Sequence, residues 1–363
     1  MIDDLPSALA HLPTDRSWKR RLLTTPALYV LAAALLITLP FLLPLAAIRD
    51  VWTKSDWSIC RTLLFLTYFA CFEALGLIVL FWLWVRHKTG MNNDAYRAAN
   101  RKMQRFWVRG LFGAVTALFS LRVEIQGIEA LEKSEPAVIL SRHANTLDPL
   151  LPLALSTLPT RFRYVMKSEL LFDPALDYCG QRFPNVFVRR GSNNKEREIA
   201  KVVALGQHLG QDEAVVLFPE GTRFSKSKRQ RLLEKFSGDE QMHAVVTSLR
   251  HTLPPLREGS VQLLANTGCD VVILAHRGLE AATDLSDLAR GALTNGNLEV
   301  AIWRISADEV PRTPEAIRGF LIDQWQRIDR FVAGDTVSLE PPAAHPAKMS
   351  TPSSISDETR AVS

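Results

Sequence analysis

The stretch Ala137-Val138-Ile139-Leu140, followed by Ser141-Arg142 and then by His143-Ala144-Asn145-Thr146-Leu147-Asp148-Pro149, decides how this chain is read. A short apolar run that stops at polar residues is a buried strand and the loop after it. In α/β sheets ligands bind in the loops at the carboxyl ends of strands. His143 and Asp148 lie five positions apart on such a loop. An imidazole accepts a hydroxyl proton near neutral pH, and a carboxylate can fix its tautomer. The same residues have plainer readings. Asp148-Pro149 fits a helix start, with Asp148 as N-cap and Pro149 at N1, and His143 fits a hydrogen-bonded loop histidine.

Working outward, further strands are expected at Val123–Gln126, Phe162–Met166, Asn185–Val188, Ala214–Phe218, Val271–Ala275 and Leu298–Ile305. Helical stretches lie between several of them, notably Lys195–Leu209 and Gly259–Asn266. This alternation predicts an α/β domain with a central sheet flanked by helices. Thr313-Pro314-Glu315 starts a last helix, whose stripe Ile317, Leu321, Trp325 and Ile328 is core packing. Residues 335–363 are rich in Pro, Ser, Thr and Ala without periodicity and are expected to be a disordered tail.

The N-terminal third differs in kind. Ala27–Ile48 carries no charge, and Thr62–Val85 carries one, Glu73. Each exceeds the roughly 20 residues that cross a hydrocarbon core. Pro40 and Pro44 are places for the first span to kink, and a structural role is expected for Glu73. The cations Arg16, Lys19, Arg20 and Arg21 precede the pair, and Arg86, Lys88, Arg97, Arg101, Lys102 and Arg105 follow it. The positive-inside rule then places residues 1–26 and everything after Arg86 in the cytoplasm. A two-helix transmembrane hairpin over 27–85 results, with its short connection on the far side and the cell inner membrane favoured. The apolar stretch near 106–121 is too short to span. It reads either as an interfacial helix resting the soluble domain on the membrane or as an ordinary core-facing helix.

With 363 residues, 47% of them hydrophobic, the chain can build a sizeable core. Its net charge of +5 suits a phosphate ligand or an anionic membrane surface, and the apolar N-terminus argues for lipid rather than nucleic acid. The four cysteines are scattered, with neither disulfide nor metal spacing, so no metal is expected.

Two more segments supply groups that a His/Asp pair can work with. Phe187-Val188-Arg189-Arg190-Gly191 ends a strand in paired guanidiniums, which suit phosphate, and one of the two should face the site. Phe218-Pro219-Glu220-Gly221-Thr222-Arg223 ends another strand, permits a tight backbone at Gly221, and adds a further arginine. In this order the HxxxxD, FVRR and FPEGTR segments resemble the signature blocks of the glycerolipid acyltransferase family, whose best-known members act on 1-acylglycerol-3-phosphate. Leu253-Pro254-Pro255-Leu256-Arg257-Glu258-Gly259 is similar to the family's fourth block region, and the likeness runs over about 103–333.

The resemblance implies roles. His143 would be the general base and Asp148 its orienter. Arg190, with Arg189 beside it, and Glu220, Gly221, Thr222 and Arg223 would bind the glycerol phosphate. Lys167 looks like a family lysine near that phosphate. Arg142 stands where many members have asparagine, and Val271-Val272-Ile273 lacks a proline common there; both bear on the acceptor rather than on the reaction. The implied reaction moves an acyl group from acyl-CoA or acyl-carrier protein, as co-substrate and without a cofactor, to a lysophospholipid hydroxyl, with no acyl-enzyme. A glycerol-3-phosphate or other lysophospholipid acceptor is the alternative within the family. Outside it stand a catalytically silent membrane scaffold and a serine hydrolase, the latter disfavoured because no GxSxG elbow is present.

Overall fold

A computed structural model of the protein describes residues 17–189 and 194–339. Three long helices come first: α1 (Trp18–Thr53), α2 (Ser58–Lys88) and α3 (Asn93–Leu118). Seven strands follow: β1 (Arg122–Gln126), β2 (Ala137–Ser141), β3 (Arg161–Lys167), β4 (Val186–Val188), β5 (Glu213–Leu217), β6 (Asp270–Arg277) and β7 (Asn297–Ile305). Four of the helices between and after them matter below: α4 (Pro174–Gly180), α5 (Lys195–Leu205), α6 (Glu258–Thr267) and α7 (Pro314–Ala333). The seven expected strands all form, each within two residues of its expected ends.

The strands make one sheet in the order β1-β7-β6-β2-β5-β3-β4. Strands β6, β2, β5, β3 and β4 are mutually parallel, and β7 runs antiparallel to β6. Their carboxyl ends therefore share one edge. Strand β2 is buried throughout because both faces are covered: Val138 and Leu140 pack toward α5, α6 and α7, and Ala137 and Ile139 pack toward α3. Such double cover is what a continuous apolar run in a parallel sheet requires. Thr313 caps α7, its hydroxyl accepting from the Ala316 N–H, and the expected stripe from Ile317 to Ile328 is fully buried. The start of the expected tail is ordered: Val337 and Leu339 pack on the core. Residues 340–363 lie outside the described residues.

The apolar stretch near 106–121 belongs to the longer α3, whose N-cap is Asn92. Val108, Leu111 and Val115 are buried against the domain core, so the core-facing reading holds. On its other side α3 meets α2, where Phe72 and Phe106 touch ring to ring. Helix α3 is thus the layer between the hairpin and the sheet.

Helices α1 and α2 are each long and apolar enough to cross a membrane. Helix α1 runs unbroken through Pro26, Pro40 and Pro44. Its 36 residues extend about 54 Å at 1.5 Å per residue, well beyond a hydrocarbon core of about 30 Å. Its outer face is bare: Ile37, Phe41 and Trp52 are 69%, 72% and 85% exposed. Buried Glu73 sits on α2 without a hydrogen-bond partner for either oxygen among the described residues.

The contacts of the connection speak against the expected topology, which puts it across a bilayer from the domain. The Ser58 hydroxyl donates to the Ala289 carbonyl at 2.8 Å, and Arg61 donates to the Leu118 carbonyl and to Ser120 Oγ. At the open end, Arg20 and Arg21 pair with Asp177 of α4. Both ends of the hairpin are tied to one domain, so it lies along the domain's flank with its apolar face outward. In sealed membrane vesicles made with a cysteine-free chain, Asp56→Cys at the connection and Gly238→Cys on the domain should react with an impermeant maleimide from the same side. Reaction from opposite sides would contradict this arrangement.

Candidate active site

The shared carboxyl edge brings the sequence segments together. His143 follows β2, Phe218–Arg223 follows β5, Lys167 ends β3 and Arg189 follows β4. The hydrogen bonds then define a centre. His143 Nδ1 lies 3.0 Å from Asp148 Oδ2. The same oxygen accepts the backbone N–H of Ala144 at 2.6 Å and of Asn145 at 2.7 Å. Asp148 is fully buried, whereas the His143 side chain is 16% exposed. An ionised carboxylate only accepts, so Nδ1 carries the proton and Nε2 keeps its lone pair. The His143 ring packs on Phe218, with centroids 4.7 Å apart.

Asp148 is not an N-cap. It is the first residue of a 3₁₀ turn, Asp148–Leu150, and its carboxylate turns back to the loop before it. Its other oxygen faces His276, at the end of β6, with Nε2 at 3.2 Å. His276 Nε2 also lies 3.3 Å from the Arg142 carbonyl, and His276 Nδ1 is buried without a partner among the described residues. One proton, on Nε2, accounts for this ring. Burial holds the His276 pKa below the usual histidine range. Burial alone would raise Asp148, but His276, His143 and the Asn145 N–H outweigh it and hold the carboxyl below its ordinary value. Nothing in the local sequence marks His276, because it reaches the site only through the β2–β6 pairing.

Arg142 is committed to structural contacts. It is fully buried and points away from His143, donating to the carbonyls of His276 and His251 and pairing with Glu280. Asn145 is likewise a fastener: its amide donates to the Leu279 and Ala282 carbonyls, and its oxygen accepts from the Leu147 N–H.

The FPEGTR segment is bonded directly to the His143 loop. Phe224 N–H donates to the His143 carbonyl at 2.8 Å. Glu220 is buried, and its oxygens accept from the His143 N–H at 2.9 Å and the Leu253 N–H at 3.2 Å. Burial pushes its pKa up to about 7 against those bonds and Arg142. Glu220 thereby positions the loop. Gly221 adopts φ +65°, and a Cβ there would stand 1.9 Å from Arg257 Nε. The Arg257 chain crosses directly over this turn, tied by its own N–H to the Pro219 carbonyl. Arg257 has no ion pair among the described residues, and its place beside Gly221 was not legible from the fourth block alone. Arg223 reaches Thr146 Oγ1 of the His143 loop at 2.8 Å and the Thr283 carbonyl. Lys228 donates to Thr222 Oγ1.

The remaining expected residues stand farther out. Lys167 pairs with Glu169 at 2.9 Å, on a strand two places from β2, about 10 Å away at the usual strand spacing. Arg189 is exposed after edge strand β4, about 14 Å from β2, with its N–H on Glu198. Arg190 lies outside the described residues.

A narrow apolar cavity begins directly after Asp148. Pro149 and Leu153, Tyr164 of β3, Trp107 of α3, Leu80 of α2 and Cys179 of α4 line it. It lies between Pro149 and the inner side of α2, and neither His143 nor Asp148 lines it.

Comparison with known proteins agrees with this geometry. Residues 122–277 match the family model described as Acyltransferase. The human 1-acyl-sn-glycerol-3-phosphate acyltransferase alpha is 33% identical over 106 residues, which is 29% of this chain and 36% of that protein. A putative 1-acyl-sn-glycerol-3-phosphate acyltransferase of Caenorhabditis elegans is 28% identical over 114 residues, 31% of this chain and 42% of its own. The chain thus spans about two fifths of the length of the curated relatives it matches. The crystal structure of the 1-acyl-sn-glycerophosphate acyltransferase PlsC from Thermotoga maritima shares the fold, with a TM-score of 0.54 at 17% identity, covering 81% of this chain and all of that one.

Gly221→Ala should destabilise the protein by about 1–2 kcal/mol from the left-handed backbone alone, and by more from the clash with Arg257. Thermal unfolding should show that Arg257→Ala relieves only the second part. An unchanged melting temperature in the single variant would refute this view of the turn. The motif geometry and these matches lead to one assignment: residues 122–277 form an Acyltransferase domain, similar in part to the 1-acyl-sn-glycerol-3-phosphate acyltransferases.

Proposed function

We propose that the protein is a membrane-associated O-acyltransferase that moves a fatty acyl group from acyl-CoA or acyl-carrier protein to the hydroxyl of 1-acylglycerol-3-phosphate, giving phosphatidate. The observation that carries this reading is the 3.0 Å contact between His143 Nδ1 and the buried Asp148 carboxylate. With Nδ1–H held by buried Asp148, Nε2 is a basic lone pair on a partly exposed ring.

In this reading Nε2 of His143 removes the proton from the acceptor hydroxyl as its oxygen attacks the thioester carbonyl. The carbon–sulfur bond breaks, the thiol leaves, and the ester forms. Asp148 stabilises the imidazolium while it exists. No protein nucleophile takes part. Arg223 and Arg257, beside the His143 loop, would hold the acceptor phosphate, and such positioning removes much of the barrier of a two-substrate reaction. Arg189, Arg190 and Lys167, farther along the same edge, would meet the more distant charges of the substrates. The bare face of the hairpin supports a domain seated on a lipid leaflet, which is where the lysolipid would be met.

Protein in detergent, given lysophosphatidate and labelled acyl-CoA or acyl-carrier protein, should form phosphatidate. His143→Ala should lower the rate by about 10²–10⁴-fold. A panel of glycerol-3-phosphate and other lysophospholipids should rank below lysophosphatidate. Full activity in the variant would sink the mechanism, and a better acceptor in the panel would replace the assigned one.

A further inference from the structure

At the open end of the hairpin lies a second cavity that the proposed reaction does not use. It has a volume of about 670 Å³, within the range of small-molecule and lipid sites. It sits where α1 begins, α2 ends, α3 begins and α4 ends. Arg21, Lys88, Arg97, Arg182 and His87 line it, and no aspartate or glutamate does among the described residues. Leu77, Phe81, Trp84 and Tyr29 form the opposite wall. Phe81 and Trp84 are 62% and 45% exposed, so this wall continues into apolar surface.

Two of the cations there are ion-paired: Arg97 with Asp94, and Arg21 with Asp177 behind the cavity, which also accepts from Arg20. Arg182 donates to neutral acceptors, Asn100 Oδ1 at 2.7 Å and the Leu80 carbonyl at 3.0 Å. Burial, with Arg21 nearby, lowers its pKa despite Tyr96 and Cys179. Lys88 is exposed and has no ion pair among the described residues, and the Thr25 hydroxyl in the wall is buried without a partner. Aromatic rings brace the cations: Arg21 lies 4.2 Å over Tyr178, and His87 stacks on Tyr96 at 4.3 Å. A cluster of cations with no acidic residue in the cavity wall, Lys88 without an ion pair among the described residues, beside an apolar wall open to the hairpin's bare face matches one chemistry, a phosphate head group carrying acyl chains. A free phosphate ion would leave the aromatic wall unused.

We propose that this cavity binds one anionic glycerophospholipid of the surrounding leaflet, its phosphate on Arg21, Lys88 and Arg182 and its chains along Phe81 and Trp84. The site is separate from the His143 loop. Helix α4 divides the two cavities: Cys179 and Gly180 face the apolar one, and Tyr178, Gln181 and Arg182 face this one. A lipid bound here would brace α4 and the start of α1 against the domain.

Native mass spectrometry of the full chain in neutral detergent tests the proposal by binding rather than turnover. It therefore stands or falls apart from the acyltransfer reaction, and His143→Ala should behave as wild type. One phosphatidylglycerol should bind at least about five-fold more tightly than phosphatidylcholine, the worth of roughly one lysine near an anionic lipid. Lys88→Glu should lose about five-fold or more of that affinity while keeping its melting temperature in lipid-free detergent. Arg182→Gln, where it folds, should do the same. Equal binding of the two lipids, unchanged phosphatidylglycerol affinity in Lys88→Glu, or equal affinity for inorganic phosphate would overturn it.

Discussion

The buried carboxylate of Asp148 is the interaction on which the site depends. One oxygen takes the His143 imidazole and two consecutive backbone N–H groups, and the other faces His276. A fully buried charge persists only when its acceptor capacity is met by well-placed donors. Here the donors are the loop itself, so satisfying the charge and shaping the loop are the same event. Removing the carboxylate would strand three donors around a buried gap, a loss on the order of 3–5 kcal/mol. The price of burying Asp148 is therefore met by the same hydrogen bonds that aim the histidine.

A wider network keeps this loop in place. Glu220 holds the His143 N–H and the Leu253 N–H together. Arg142 ties the end of β2 to His276 and His251, and Asp329 of α7 accepts the N–H groups of Arg250, His251 and Thr252. Strand ends from β2, β5 and β6 and the last helix thus meet at one edge. Gly221 lets the Arg257 chain cross the turn of the segment that is bonded to the His143 loop. Fold and site are joined by buried side chains, and Arg142 and Glu220 are the main ones.

Much of this was legible in the sequence, for physical reasons. The runs at 137–140 and 271–275 are apolar at every position because their strands are covered on both faces, so their existence could be read locally. Their order could not, since it depends on pairings between distant segments. His143 and Asp148 were legible as a pair, but Asp148 as a cap was not correct: Pro149 suits a helix start, while the unsatisfied N–H groups of Ala144 and Asn145 draw the carboxylate the other way. Arg142 stood out only as a departure from the family's asparagine, because sequence does not say which face of a strand end turns inward. The hairpin's apolar lengths were plain. Hydropathy and charge bias have no means of registering that Ser58 and Arg61 are bonded to the domain.

The central claim is that Asp148 fixes His143 with its proton on Nδ1 and a bare Nε2. Nitrogen-15 NMR of histidine-labelled protein in detergent at neutral pH, with His143 assigned by its loss in His143→Ala, reads this directly. The account predicts a protonated Nδ1 and an unprotonated Nε2 for His143, with the preference lost in Asp148→Asn. A His143 ring protonated on Nε2 and bare at Nδ1 would contradict it.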